Sequence, residues 1–115
     1  MSKFTNISTT PETTILLQAG DHATNSSNAL IGSRFFSVNK ITIVNHSANA
    51  ATVTVFQDGL TVNSVTYPDY NITGAIVIPG EVSLVLDDKF TINLTTHSLK
   101  LTNSGSSPAL TIRID

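Results

Sequence analysis

Alternation of apolar and polar residues at every second position is the feature that most constrains the fold of this chain. It runs almost without a break through "VIPGEVSLVLDDKFTINLTTHSLKLTNSG", residues 77–105, and it returns in shorter segments elsewhere. A period of two places the apolar side chains on one face of a strand and the polar side chains on the other. Since no stretch shows a convincing helical period, we predict a fold built from strands with no substantial helix.

The alternating segments also predict which side chains face the core. Between them stand turn-forming residues, at Asp58 and Gly59, around Pro68, at Pro79 and Gly80, and in "NSGSSP" before the last segment. Short strands joined by turns at this spacing are typical of a single-domain antiparallel β-sandwich or jelly-roll-like barrel. The expected inward residues are Ile41, Ile43, Ala51, Val53, Val55, Val82, Leu84, Leu86, Phe90, Ile92, Leu94, Leu99, Leu101, Leu110, Ile112 and Ile114.

The length of 115 residues fits one domain with one core. We expect residues 15–115 to form the β-sandwich domain and residues 1–14 to form either an N-terminal arm or a first edge strand. The polar interval from Gly20 to Arg34 is predicted to be a long surface loop.

Low charge and the lack of cysteine exclude several function classes. The net charge is -2, and only 12% of residues are charged, so no basic field is available to bind nucleic acid. With no cysteine, neither a disulfide framework nor a thiolate site can form. No apolar run approaches the roughly 20 residues of a membrane helix, and the first residues lack the apolar core of a signal peptide. We expect a protein made and kept in solution in a cytosol, without a membrane partner.

The histidines do not form a recognisable catalytic motif. Nucleophilic hydrolysis would combine one of His22, His46 and His97 with a serine and a carboxylate, but the sequence has no G-x-S-x-G elbow. Both His46 and His97 follow polar residues at strand ends, where a solvated or turn-bonded histidine is ordinary. We therefore expect no catalytic residues and no enzyme activity.

Metal and cofactor binding have equally little support. Asp87 and Asp88, with Glu81 and Asp58 as possible neighbours, could offer oxygen ligands to calcium, but the D-x-D-x-D-G loop is absent. Aspartate is also common where a turn begins, because its side chain bonds the following backbone. No glycine pattern matches a nucleotide-binding loop. We expect no metal site and no cofactor.

Two aromatic pairs leave a sugar-binding alternative open. Tyr67 and Tyr70 flank a proline in "TYPDYN" and could present two rings on one loop, while Phe35 and Phe36 could form a second patch. The competing interpretation is that alternate members of each pair turn inward. The N-x-[ST] matches are the number expected by chance in a chain rich in Asn, Ser and Thr, and they lie at Asn6, Asn25, Asn45, Asn71 and Asn93.

Several strands are apolar on both faces. Val44, Phe56, Ala75, Val77 and Val85 fall opposite the expected inward residues. In a small monomer such positions expose an apolar patch, which usually marks an interface. The alternative is that a loop or the N-terminal segment covers them.

An ordered series of features covers roughly residues 40–115: "ITIVNHSANAATVTVFQDG", then "AIVIPGEVSLVLDD", then "FTINLTTHSLKLTNSGSSPALTIRID". The series resembles the small β-sandwich virion proteins of tailed bacteriophages. The matching features are Asn45 and Ser47, Pro79 and Gly80, Leu84 to Asp87, and Ser98 to Thr102.

This resemblance implies a structural role in the virion, with a capsid decoration or cement protein favoured and a neck, tail or host-glycan-binding module as the alternative. It implies binding to the major capsid protein on the capsid exterior, after synthesis in the host bacterial cytoplasm. A homo-oligomer is also expected, since sandwiches with exposed apolar strands often close around a symmetry axis. The residues that we expect at the interface are Phe4, Asn6, Ile7, His22, Asn25, Leu30, Arg34, Tyr67 and Tyr70.

Overall fold

The computed structural model describes residues 3–8, 12–17, 35–104 and 109–115. Within these ranges the chain forms thirteen strands and no helix. The strands are β1 Lys3–Ile7, β2 Glu12–Leu17, β3 Phe35–Val38, β4 Ile41–Asn45, β5 Ala51–Gly59, β6 Thr61–Val62, β7 Val65–Thr66, β8 Tyr70–Asn71, β9 Ile76–Ile78, β10 Ser83–Leu86, β11 Phe90–Asn93, β12 His97–Ser104 and β13 Leu110–Ile114.

Every strand pair is antiparallel. One sheet has four strands in the order β1-β13-β4-β10. A second sheet has the order β2-β12-β5-β8, and β9 pairs with another part of β5. Two small ladders, β11-β3 and β6-β7, are the other pairings among the described residues. Because both large sheets contribute buried side chains to one core, the predicted all-β sandwich architecture is confirmed.

The period-two alternation places the core as predicted along most strands. The inward positions of β4, β5, β12 and β13 are fully buried, as are Ile92 and Leu94. Leu84, Leu86 and Phe90 are partly buried and pack against the same core. The prediction was wrong for Val82, which is 44% exposed. It lies just before β10 begins, beside the turn residue Glu81, so the strand alternation does not reach it.

A buried asparagine joins two turns at one end of the sandwich. The Asn45 side chain is fully buried, and its Nδ2 donates to the carbonyl oxygens of Asn49 at 2.9 Å, Ile78 at 3.1 Å and Pro79 at 3.2 Å. Its Oδ1 accepts from the backbone N–H of Ser47 at 3.0 Å. The asparagine of the "NHS" sequence is therefore a structural residue that is enclosed by backbone, not a site for a glycan.

Two short connections depend on local backbone geometry. Asn63 and Ser64 both have positive φ, 50° and 66°, which is the type I′ geometry of the two-residue turn between β6 and β7. A Cβ on Gly59 would lie 1.9 Å from the carbonyl oxygen of Tyr67. The glycine at the end of β5 therefore lets the loop before β8 lie directly against the sheet.

The N-terminal residues belong to the sheets where the structure describes them. β1 is an edge strand of the four-stranded sheet, and β2 is an edge strand of the second sheet. The boundary expected after residue 14 falls inside β2. The predicted loop from Gly20 to Arg34 lies outside the described residues. The described residues include no helix long and apolar enough to cross a membrane.

Candidate functional site

The outward side of the four-stranded sheet is the most continuous candidate surface. The register aligns its outward side chains in two rows that cross all four strands. We call this surface the outer sheet face. Its rows are Phe4, Arg113, Thr42 and Val85, and Asn6, Thr111, Val44 and Ser83.

Exposed apolar side chains lie at both edges of the outer sheet face. Phe4 is 62% exposed on β1, and Val85 is 53% exposed on β10. The outward orientation predicted for Val85 is confirmed, and Val44 between them is half-buried. When a partner covers a sheet face with apolar residues at its margins, the free-energy cost of removing water from that face is small.

The charge on the outer sheet face is confined to one corner. The Arg113 guanidinium lies 5.8 Å from the centre of the Phe4 ring. Its Nε donates to Asp115 Oδ1 at 3.0 Å. The ion pair fixes the guanidinium over the ring, so this cation–π contact orients an exposed phenylalanine. The corner is thus apolar at its surface and close to neutral.

A row of hydrogen bonds crosses the same face. The Thr111 hydroxyl donates to Asn6 Oδ1 at 2.9 Å. A hydroxyl has a single proton, so Thr111 Oγ1 accepts from His46 Nε2, 3.0 Å away, which requires the proton on Nε2. The row joins Asn6 on β1, Thr111 on β13 and His46 just after β4, and it holds Asn6 in place beside Phe4.

The second candidate is an aromatic cluster at the end of the other sheet. His97 is buried at the start of β12, and Tyr67 and Tyr70 lie around its ring with centroids 5.9 Å and 5.4 Å away. His97 Nε2 donates to the Pro68 carbonyl at 3.0 Å, and Nδ1 lies 2.8 Å from Thr96 Oγ1. The histidine thereby anchors the "YPDY" loop to the sheet.

Only one ring of this cluster faces outward. Tyr70 is 53% exposed, whereas Tyr67 is half-buried. In the other aromatic pair, Phe35 is 58% exposed and Phe36 packs against the core. Each pair therefore has one exposed member and one partly buried member.

An ion pair borders the aromatic cluster. Lys100 Nζ bonds Asp58 Oδ2, and Asp69 Oδ1 accepts from the backbone N–H of Gly59 at 2.8 Å. The hydrogen bond from Lys100 lowers the pKa of Asp58, and burial opposes that effect. The carboxylates stabilise the loop at the sheet end, which is a structural role.

The expected interface residues divide into four groups. Phe4 and Asn6 lie on the outer sheet face, and Tyr67 and Tyr70 lie in the aromatic cluster. Ile7 is only 3% exposed and packs in the core, because β1 points alternate side chains inward. That side chain does not reach a partner in the folded protein. The remaining four, His22, Asn25, Leu30 and Arg34, lie outside the described residues.

Sequence reasoning missed the residues that complete the outer sheet face. Thr111 and Arg113 alternate with the expected inward residues of the last strand, but nothing local to them indicates that they lie beside Phe4 and Asn6. Asn6 and Thr111 are 105 residues apart in sequence. Among the described residues, no group of three or more His, Asp or Glu side chains could hold a metal ion, and Asp87 and Asp88 are exposed after β10.

Comparisons with known proteins give little further information. No protein family model matches the chain, and no curated protein matches it. Among solved structures, a chain of the T13 viral particle of IBDV is similar over 98% of this chain and 31% of that chain, with 9% identity and a TM-score of 0.42. This chain thus spans about a third of the length of that one. At this level the similarity carries no argument about fold or function.

Proposed function

We propose that this protein is a structural protein of a tailed-bacteriophage particle and has no enzyme activity. In this proposal it is made in the host cytoplasm and decorates the capsid exterior as a cement protein, with the major capsid protein and further copies of itself as partners. The observation that carries the proposal is the outer sheet face, which presents exposed apolar side chains among neutral polar ones on a sheet. The resemblance of residues 40–115 to phage β-sandwich virion proteins supplies the kind of partner.

The chemistry of the outer sheet face suits contact with a protein surface. Its single charged side chain, Arg113, already has a partner in Asp115, so burying this face leaves no isolated charge without water. The hydroxyl and amide groups of Thr111 and Asn6 are bonded to one another and keep those bonds when water is removed. The free-energy cost of desolvating this face is therefore small, and the exposed Phe4 and Val85 supply the apolar contact.

The size of the face indicates how such a protein would stabilise a shell. Four strands spaced about 4.8 Å apart span only about 15 Å. A typical stable interface buries about 800 Å² on each partner, which is more than these two rows of side chains provide. Each copy would bind modestly through this face, and stabilisation of the shell would come from binding at many equivalent positions.

The test uses shells of the parent particle that lack this protein. Purified protein is added, and the shells are imaged by cryo-electron microscopy and heated to measure their disruption temperature. Density repeated over the shell, with a higher disruption temperature, is the expected result. Density only at a tail vertex would replace the cement role with a neck or tail role, and absence of density would refute the proposal.

A matched pair of variants tests the docking face. Phe4 and Val77 are both 62% exposed, but Val77 lies on β9 in the other sheet. We expect Phe4→Ser to reduce occupancy of the shell and Val77→Ser to leave it unchanged. Equal occupancy for the two variants would remove the outer sheet face from the mechanism.

A host-glycan-binding role is the second candidate, because one observation favours it. Tyr70 is exposed on one side while its ring contacts the buried His97, which gives a preoriented platform of the kind on which sugar rings stack. On a glycan array, the parent protein would give a signal that Tyr70→Ala abolishes and Phe35→Ala retains. A parent protein without signal would end this candidate.

A further inference from the structure

We infer that two copies of this chain pair edge to edge through β10, in an antiparallel register centred on Val85. The inference concerns the purified protein and does not rest on the proposed function. It follows from four observations: the direction of the backbone groups of β10, the side chains on its two faces, the residues next to it in sequence, and its position at the edge of the sheet.

The hydrogen-bond pattern shows which backbone groups of β10 face outward. Asn45 N donates to the Val82 carbonyl at 3.0 Å, and the register then pairs Val44 with Ser83 and Thr42 with Val85. In an antiparallel ladder, hydrogen-bonded and non-bonded pairs alternate. The N–H and C=O groups of Ser83 and Val85 therefore point away from β4.

The other side of β4 gives the same alternation. His46 N donates to the Ala109 carbonyl at 2.8 Å, so even-numbered residues of β4 bond β13 and odd-numbered residues bond β10. Within the described residues, no strand pairs with the outward side of β10. Its outward backbone groups are thus a template on which a further strand can add.

β10 also lacks the features that usually protect a sheet edge. Its four residues, "SLVL", include no charge, no proline and no glycine. Val85 is 53% exposed on the outer side, and Leu84 and Leu86 are only partly buried on the inner side. A second strand would cover both sides of this edge.

The flanking residues select the register. With Val85 opposite Val85 of the second copy, Ser83 lies opposite Asp87, and Leu84 lies opposite Leu86. The serine hydroxyl can donate to the carboxylate, and the leucines extend the core across the junction.

Neighbouring registers are less favourable. Centring the pair on Leu84 would place the apolar Val85 opposite Ser83 and lose the contact between the two Val85 side chains. Centring it on Leu86 would place Asp88 opposite Leu84, at the edge of the core. The Val85 register avoids both, and it joins the two four-stranded sheets into one continuous sheet around a two-fold axis.

The first test uses single cysteines, since the chain has none of its own. In the proposed pair, the Cα atoms of Val85 and its symmetry mate lie about 5.5 Å apart, which suits a disulfide. Val85→Cys should therefore give a covalent dimer under mild oxidation. Ser83→Cys places its two thiols four residues apart along the strands, and Val77→Cys is exposed but distant from β10, so neither should cross-link efficiently.

The expected difference is a cross-linking rate at least about ten-fold higher for Val85→Cys than for either control, because pairing raises the effective thiol concentration far above that of the free protein. Equal rates for Val85→Cys and Val77→Cys would overturn the pairing. Rapid cross-linking of Ser83→Cys instead would overturn the register.

The second test asks whether the edge hydrogen bonds hold the dimer. The N–H of Val85 faces away from β4, so Val85→Pro removes no ladder bond within one copy but deletes a donor to the other. In sedimentation velocity, the parent and Val85→Thr should be dimers, and Val85→Pro a monomer with an unchanged β-type circular dichroism spectrum. A monomeric parent protein, or a dimeric and folded Val85→Pro, would refute the inference.

Discussion

Replacing Asn45 with alanine should destabilise the fold much more than the loss of one surface asparagine. The side chain is fully buried and bonds four backbone groups, from Ser47, Asn49, Ile78 and Pro79. Its Nδ2 has two protons, so the four contacts amount to about three full hydrogen bonds. At about 1 kcal/mol each, their loss reduces the free energy of unfolding by about 3 kcal/mol.

Two comparisons make this prediction specific. Asn71→Ala changes an exposed asparagine and should shift stability by less than about 0.5 kcal/mol. The Asn45→Asp variant keeps an acceptor for the Ser47 N–H, but its second carboxylate oxygen faces three backbone carbonyl oxygens. Near neutral pH this substitution should therefore lower the free energy of unfolding by at least as much as Asn45→Ala does. Since the carbonyls favour the protonated acid, the folded-state pKa of this aspartate is raised. The loss of stability of Asn45→Asp relative to the parent protein should therefore shrink as pH falls.

The assay is urea unfolding of each variant with the same m-value, so that the midpoint reports stability. An Asn45→Ala variant within 1 kcal/mol of the parent would refute the reasoning, because water would then replace the side chain at little cost. An Asn71→Ala variant as unstable as Asn45→Ala would refute it equally, since burial would not be the cause.

Three further substitutions and one control probe the connections and the ion pair. Gly59→Ala should lower the thermal midpoint sharply, because its Cβ would lie 1.9 Å from a backbone carbonyl oxygen, whereas Gly74→Ala has open space and should have little effect. Ser64→Gly relieves a positive φ of 66° and should raise stability by about 0.5–1 kcal/mol in urea unfolding. Lys100 lowers the pKa of Asp58 from its ordinary value of 3.8, so this pair stabilises the fold above that pH and the benefit is lost as pH falls below it. Lys100→Met should flatten this acid-side slope in a pH series of unfolding curves, and an unchanged slope would contradict the assignment.

The sequence predicted the strands well where burial on one face controls the choice of residue. In β5, Ala51, Val53 and Val55 are buried and the threonines between them are not, because a pleated strand turns successive side chains to opposite sides. The same local rule failed at Val82, where a turn with a positive φ at Glu81 interrupts the pleat. Alternation carries no information about where a strand begins to bend.

The candidate surface was only partly predictable because strand pairing is non-local. The sequence predicts Phe4 and Asn6 as contact residues, but their neighbours Thr111 and Arg113 come from the opposite end of the sequence. Ile7 was grouped with them because a short polar segment gave no periodicity strong enough to separate its faces. The outward direction of the β10 backbone followed only from the bonds of Asn45 and His46, which a sequence does not encode locally.

The position of β13 has a consequence for how the polypeptide matures. This strand follows all other described strands in sequence, yet it lies between β1 and β4. During synthesis, β1 and β4 therefore remain without the strand that separates them until residues 110–114 have left the ribosome. Pairing over about a hundred residues is slow, because loop closure must precede any gain from contacts. Chains interrupted before Leu110 would carry two open strand edges and no means of closing them, and so they are the species most exposed to aggregation and to cellular quality control.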